Sequence, residues 1–284
     1  MTDINLGRPG LSILPLGVGD AFSVIHHPTS MLVSRYQTPA WDNDLILIDV
    51  PQSIRKMMKE ADDGRFHGLD LNRVGTLILT HLHTDHASGL ETIAAFFKIA
   101  LGRKLRLLAL PEVLEGVPDF LKSLGSLGKM EDFFDVVPFP TNEDGTPGGI
   151  SLGEGANHFL IEARKTNHTI PTAALRILHN KKRFSYSCDT SFDAELWDWL
   201  WDKAPSLVIH EVGHGIHTNY DELWEATKKG WGSGHRLAET PDEWRAATEL
   251  RCKKMRLIHY PDDMLPFLET GPYPLAREGE LIVL

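Results

Sequence analysis

The chain has only two cysteines, Cys188 and Cys252, among its 284 residues. Two thiols make no disulfide framework, and the expected compartment is the cytoplasm, where thiols stay reduced. An apolar run long enough to cross a bilayer is also missing, and Met1-Thr2-Asp3-Ile4-Asn5 has neither the basic nor the apolar region of a signal peptide. No membrane is therefore expected among its partners. Positive charge is scarce: the formal net charge is −10. The clusters Arg103-Lys104, Lys181-Lys182-Arg183 and Lys253-Lys254 are short enough to be solvated faces or turns. A long nucleic acid is accordingly not an expected partner. Low-complexity tracts, internal repeats and a Pro/Gly-rich linker are lacking too. With 42% hydrophobic and 24% charged residues, the chain reads as one globular domain over residues 1–284.

What it does have is Thr80-His81-Leu82-His83-Thr84-Asp85-His86, directly after the apolar run Val74 to Leu79. Three imidazoles and a carboxylate in one turn are donors that Zn²⁺ and its first-row neighbours take up. In an extended loop His81 and His83 point the same way, by the period of two. They can grip one ion while Asp85 and His86 reach round to a second. A polar loop facing solvent is the bland alternative, and so compact a cluster speaks against it.

Further strands are expected at Leu11 to Val18, Ser30 to Tyr36, Leu45 to Val50, Leu105 to Leu110, Phe133 to Phe139 and Phe159 to Arg164. Others follow at Ala174 to Leu178, Phe184 to Ser187, Leu207 to His210 and Met255 to His259, with a hairpin turn at His179-Asn180-Lys181-Lys182. Helices are expected from Pro51, from a capping box at Ser88-Gly89-Leu90-Glu91, over Pro111 to Leu124, over Ala194 to Trp201, and from Thr240-Pro241-Asp242-Glu243 to Arg251. Residues 141–157 read as a surface loop or hairpin, and His67, His158 and His179 as surface or turn positions. Two blocks of strands interleaved with helices suggest two sheets packed together, with helices outside.

His81-x-His83-x-Asp85-His86 after a strand resembles the signature of the metallo-β-lactamase superfamily. The resemblance implies an α/β (α+β) fold, an αββα sandwich of two mixed sheets with helices on the outer faces. It also implies a third histidine for the first metal site, a bridging acidic residue and a last histidine for the second. His168, Asp189 and His259 each follow an expected strand and are the candidates. On that pattern His81, His83 and His168 form one site, Asp85, His86 and His259 the other, and Asp189 bridges them. Asp189 could instead cap a helix. Two divalent ions about 3.5–4 Å apart can stabilise both attacking and leaving oxygens of a displacement, and they bring the pKa of bound water down toward roughly 7. Zn²⁺ suits these donors; Mn²⁺ or Fe²⁺ would also serve.

Leu207-Val208-Ile209-His210-Glu211 and Gly234-His235, before the capped helix, resemble the ribonuclease Z and related phosphodiesterase branch. So does Leu16-Gly17-Val18-Gly19-Asp20-Ala21 after the first strand. By that likeness Asp85, Glu211 and His235 are the catalytic candidates: Glu211 orients His235, which meets the phosphate or protonates the leaving oxygen. Glu211 could equally be a solvated strand end, and His235 a loop histidine. Only a short hairpin separates His168 from Asp189 where tRNA-processing members carry a long arm, which argues against tRNA 3′-processing. Extra chain between Glu211 and His235 holds His214, His217, Tyr220, Trp224 and Trp231 and could be a lid, a pocket wall or a subunit contact, so a homodimer is one candidate assembly. Arg236, in place of a small polar residue, could bind phosphate or lie at the surface. Leu196, Trp197, Leu200 and Trp201 are expected in the core, with Trp199 toward solvent or a partner.

The expected function is a dinuclear metal-dependent hydrolase, a phosphodiesterase acting on a small nucleotide or cyclic phosphate. The same site on a carbonyl substrate, as in a lactonase or thioesterase, is the first alternative. A two-iron oxidoreductase is disfavoured by His83, where such relatives carry an acidic residue, and a non-catalytic binding protein by the complete ligand set.

Overall fold

Apolar runs with little alternation mark strands covered on both faces, and the first half of the chain is built from them. The computed structural model describes residues 9–155, 158–229 and 240–284. The chain first forms β1 (Pro9–Gly17), β2 (Ser30–Tyr36), β3 (Leu45–Ile48), β4 (Val74–Ile78), β5 (Leu105–Ala109) and β6 (Phe134–Pro138). It continues with β7 (Gly149–Leu152), β8 (Phe159–Lys165), β9 (Ala173–His179), β10 (Lys182–Tyr186), β11 (Leu207–Glu211), β12 (Met255–Ile258) and β13 (Ile282–Val283). The first sheet runs β13-β1-β2-β3-β4-β5-β6 and the second β12-β11-β10-β9-β8-β7. Strands β3 to β6 are parallel, as are β10 to β12, while β1–β2 and β7 to β10 are antiparallel. Both sheets are therefore mixed. All four residues of β3 and all five of β11 are buried, and one apolar cluster joins both sheets to the helices outside. The αββα sandwich is the architecture expected.

Local expectations hold where the chemistry is short-range. Thr240 caps the helix Pro241–Lys254 with a reciprocal Glu243 contact. Asn180 and Lys181 turn the β9–β10 hairpin with φ of 46° and 65°. The loop or hairpin expected over 141–157 is in part a hairpin, with Gly149–Leu152 paired antiparallel to β8 as an edge strand. Three expectations need correction. Pro51 lies outside its helix, which spans Ile54–Asp62 after Ser53 at φ 68°. Ser88 does not start its expected helix: it is the C-cap of Thr84–Ala87 and its hydroxyl accepts the Gln52 N–H (2.8 Å), while Gly89 is the N-cap of Leu90–Ala95. His179 is buried on β9, its Nδ1 2.9 Å from the His158 carbonyl and its ring against Phe159. Leu196, Trp197, Leu200 and Trp201 are core, and Trp199 is half-buried beneath the Arg176 guanidinium. No helix among the described residues is long and apolar enough to cross a membrane.

His210 on β11 shows what this core costs a titratable ring. Burial pushes its pKa down to about 4, and donation from Nδ1 to the Glu211 carbonyl only partly opposes that. Unfolded histidines titrate near 6.5, so the unfolded chain takes up a proton that the folded one refuses. Stability from this group is complete above about pH 6.5 and is lost as pH falls from there toward 4. Between pH 7 and pH 5 the loss comes to about 2 kcal/mol. Denaturant titrations of metal-stripped protein check this: His210→Asn should lose that much less on acidification, and equal losses would exclude it.

Candidate metal centre

The polar residues converge because each leaves the carboxyl end of a strand. In open α/β sheets that edge presents loop residues to a ligand. Asp49 follows β3; His81 and His83 follow β4; His168 follows β8; Asp189 follows β10; His259 follows β12; and Glu211 ends β11. Asp85 and His86 sit in the short helix Thr84–Ala87 that begins after His83. The Ala173 N–H donates to the Thr80 carbonyl (3.1 Å), tying the second sheet to the first at this edge. Asp49, Cys188 and His259 have φ of 60°, 52° and 58°. A left-handed backbone at a non-glycine residue costs of order 1–2 kcal/mol, and here it re-aims three strand ends into one place.

Four groups of donor atoms lie within 4.8 Å among the described residues, and the two with four donors are His81, His83, His168 and Asp189, and Asp85, His86, Asp189 and His259. Asp189 belongs to both. Its Oδ2 lies 3.6 Å from His81 Nε2, 3.8 Å from His168 Nε2 and 3.5 Å from His259 Nε2, and its Oδ1 lies 3.4 Å from His86 Nε2. His168 Nε2 is 3.1 Å from His83 Nδ1, and Asp85 Oδ2 is 3.2 Å from His259 Nε2 and 3.4 Å from His86 Nε2. All seven residues expected as ligands are thus brought together.

Electrostatics divide the cluster. Burial holds His81, His83 and His168 below the usual imidazole range, His168 at about 4. They stay neutral and keep the lone pair a cation needs. Burial also opposes charge on His86 and His259, but the carboxylates outweigh it: Asp189 and Asp49 hold His86 well above its ordinary value, and Asp189 and Asp85 hold His259 at about 9. Burial raises Asp189 and Asp85, yet neighbouring histidines bring both far below the carboxylate range. His81 Nε2, His86 Nε2 and Asp189 Oδ1 are buried without a hydrogen-bond partner. Orphaned polar atoms of this kind are rare and costly, and these three converge. A divalent cation fits them, and nitrogen with carboxylate oxygen is a donor set for Zn²⁺, Mn²⁺ or Fe²⁺.

Glu211 is fully buried rather than a solvated strand end. Its Oε1 accepts the Thr190 N–H (3.2 Å) and Thr218 N–H (2.8 Å), while Oε2 lies 3.3 Å from His217 Nδ1 and 4.0 Å from His259 Nδ1. Burial opposes charge on the His217 ring, but Glu211 outweighs it and raises the pKa. His217 therefore stands in this structure as Glu211's histidine; His235 and Arg236 lie outside the described residues. By sequence alone His217 is one of several histidines and aromatic residues in the extra chain between Glu211 and His235. Asp49 was missed altogether. Its carboxylate accepts the Thr80 N–H and hydroxyl (2.8 and 2.9 Å at Oδ1) and meets His86 Nδ1 at 2.8 Å, aiming Nε2 at the site. An apolar run ending on an acid, as at Leu45 to Asp49, was the available signal. Cys188 is buried 3.8 Å from His81 Nδ1, and burial pushes its thiol well up, so it stays protonated packing.

The family model described as Anti-Pycsar protein Apyc1 matches residues 11–230, well over half of the chain. This chain belongs to that family. Relatives of the same description from Bacillus phage vB_BsuM-Goe3 and from Saccharibacillus brassicae are 28% and 26% identical to it, over 95% of this chain in each case and 96% and 98% of theirs. Among solved structures it resembles the metallo-β-lactamase fold protein YhfI from Bacillus subtilis (TM-score 0.66, 16% identity, 98% of this chain and 100% of that one). Human tRNase Z, short form, aligns with TM-score 0.61 and 18% identity over 95% of this chain and 98% of its own. Zn²⁺-bound PqqB from Methylobacterium extorquens aligns with TM-score 0.60 and 15% identity over 96% of this chain and 100% of its own. This chain thus has the metallo-β-lactamase fold that these solved structures share.

Proposed function

We propose that the chain is a single-domain, metal-dependent phosphodiesterase acting on a small nucleotide or related cyclic phosphate. One observation carries the reading: the two donor groups share Asp189, and Asp189 lines a cavity of about 510 Å³ together with His83, Asp85, His259 and His217. His81, His83 and His168 would hold one divalent ion and Asp85, His86 and His259 a second, with Asp189 between them. Bound there, such ions supply Lewis acidity toward phosphoryl oxygens and a nucleophile at neutral pH.

The chain's own residues do the rest. Asp49 fixes the His86 ring through Nδ1, and the buried Glu211 carboxylate lies 4.0 Å from His259 Nδ1. Glu211 also keeps the proton of His217 on Nδ1 and leaves Nε2 free at the cavity wall. Raised by Glu211, His217 can carry a second proton on Nε2 and deliver it to the departing oxygen. This is the part that sequence reading gave to His235. Short connections on either side of β9 leave no arm for gripping tRNA. The two cysteines, buried and unpaired, fit a reducing, cytoplasmic setting.

Metal counting and turnover on one preparation test the proposal. Two equivalents of metal are expected, with cleavage of bis-(p-nitrophenyl) phosphate and cyclic nucleotides that a chelator abolishes and metal restores. Full metal content with turnover of lactones or thioesters alone would overturn it in favour of a carbonyl hydrolase.

A further inference from the structure

Beside His83, Asp85, Asp189 and His259, the same cavity is lined by the apolar side chains of Ala21, Phe22, Leu82 and Ile216. Phe22 is 88% exposed and Ile216 45%. A phenylalanine so exposed on a loose loop would carry no meaning, but this loop is tightly pinned. Val18 and Gly19 N–H both donate to the His27 carbonyl (3.0 and 2.9 Å), and the Phe22 N–H donates to Asp20 Oδ1 (2.9 Å). The Ser23 hydroxyl and Val24 N–H donate to the Asp262 carboxylate (2.5 and 2.8 Å), and the His26 N–H donates to Ser23 Oγ (2.8 Å). Asp262 follows the candidate ligand His259 by three positions, so the loop is fastened to the segment that builds the site. Val24 and Ile25 are exposed on the same loop but do not line the cavity.

An aromatic face held open over a polar floor has a matching ligand: a molecule with a planar ring at one end and an anion at the other. Such a face on a pre-set backbone loses little conformational entropy when it is covered. Stacking a base on an aromatic side chain contributes about 1–3 kcal/mol whatever the base, because each has a π face. We propose that Phe22 is the stacking wall for the nucleobase of a nucleotide whose phosphate lies at the divalent ions that Asp85, Asp189 and their neighbouring histidines would hold. This makes Phe22 a specificity-determining residue, selecting nucleotides over phosphodiesters without a planar ring. Ile216 packs the edge of the base, and His214, 3.0 Å from Asp263, stands at the same rim. The inference rests on the phosphodiesterase reading for its anionic end.

Calorimetric titration of metal-loaded protein with a nucleoside 5′-monophosphate and with ribose 5-phosphate separates the ring from the phosphate. The nucleotide is expected to bind about 5- to 150-fold more tightly, the stacking energy expressed as a ratio of affinities. Phe22→Ala should bring that ratio close to 1 with ribose 5-phosphate affinity unchanged, and Phe22→Tyr should restore it. A wild-type ratio near 1, an unchanged ratio in Phe22→Ala, or equal weakening of both ligands would each overturn the proposal. These are equilibrium readouts. Protein that binds metal and nucleotide but cleaves no phosphodiester would sink the hydrolase reading while leaving Phe22 to stand or fall by its own ratio.

Discussion

Asp189→Asn is expected to lose metal and, with it, at least about 10³-fold in turnover, the equivalent of several kcal/mol of charge stabilisation. The two oxygens of this carboxylate face four imidazoles between 3.4 and 3.8 Å away. An amide of the same shape removes the one negative charge common to both donor groups. It also turns an N–H₂ donor toward nitrogens that must offer lone pairs to a cation. Because Asn is nearly isosteric, the fold should persist, and a melting curve close to that of unaltered, metal-stripped protein would show that it does. Metal content read by mass spectrometry then decides. A variant keeping two equivalents and most of its turnover would remove Asp189 from the bridging position.

Gly17→Ala should cost about 3 kcal/mol of stability, at the upper end of ordinary overpacking, and lower Tm by roughly 5–10 °C. A Cβ on Gly17 would sit 2.0 Å from the Pro28 carbonyl oxygen and 2.8 Å from that of His27. Both are backbone atoms, so the strand end or the loop must move. The loop is not free to do so, since the same His27 carbonyl accepts from Val18 and Gly19. The disturbance reaches the site as well, because the Val18 carbonyl accepts the His259 N–H (2.8 Å). Metal affinity should therefore fall together with Tm. Gly64→Ala provides the contrast: φ is 76° there, but nothing lies within 4 Å of the new atom. Only backbone strain of about 1 kcal/mol remains. Equal destabilisation by the two substitutions would refute the steric account.

How much of this could be read from the chain alone depends on the range of each interaction. His81, His83, Asp85 and His86 fall within one turn, and the strand before them is an uninterrupted apolar run. A period of two and a short reach suffice to place these side chains together. The alternation of strand and helix signals gave the two-layer sandwich for the same reason, since burial periodicity is a local property. His168, Asp189 and His259 were legible only through family likeness combined with their position after strands, because nothing local says that three distant strand ends meet.

Other features had no reading without the tertiary structure. Asp49 meets His86 across 37 residues of chain, and its carboxylate looks like any other acid at the end of an apolar run. Glu211 could be joined to a histidine by resemblance, but which histidine depends on how the turn after β11 folds back. The Gly213 N–H donating to the Thr218 carbonyl (3.0 Å) and Gly215 at φ 67° bring His217 to Glu211. Phe22 was one apolar residue in a loop until the Asp262 contacts gave it a direction. The sequence by itself determined the donors and the strands that carry them, because residue type and periodicity are written locally. Tertiary packing decided which carboxylate orients which imidazole and which apolar side chain stays uncovered. Those outcomes depend on ångström-scale distances between strand ends far apart in the chain, and no short-range pattern encodes them.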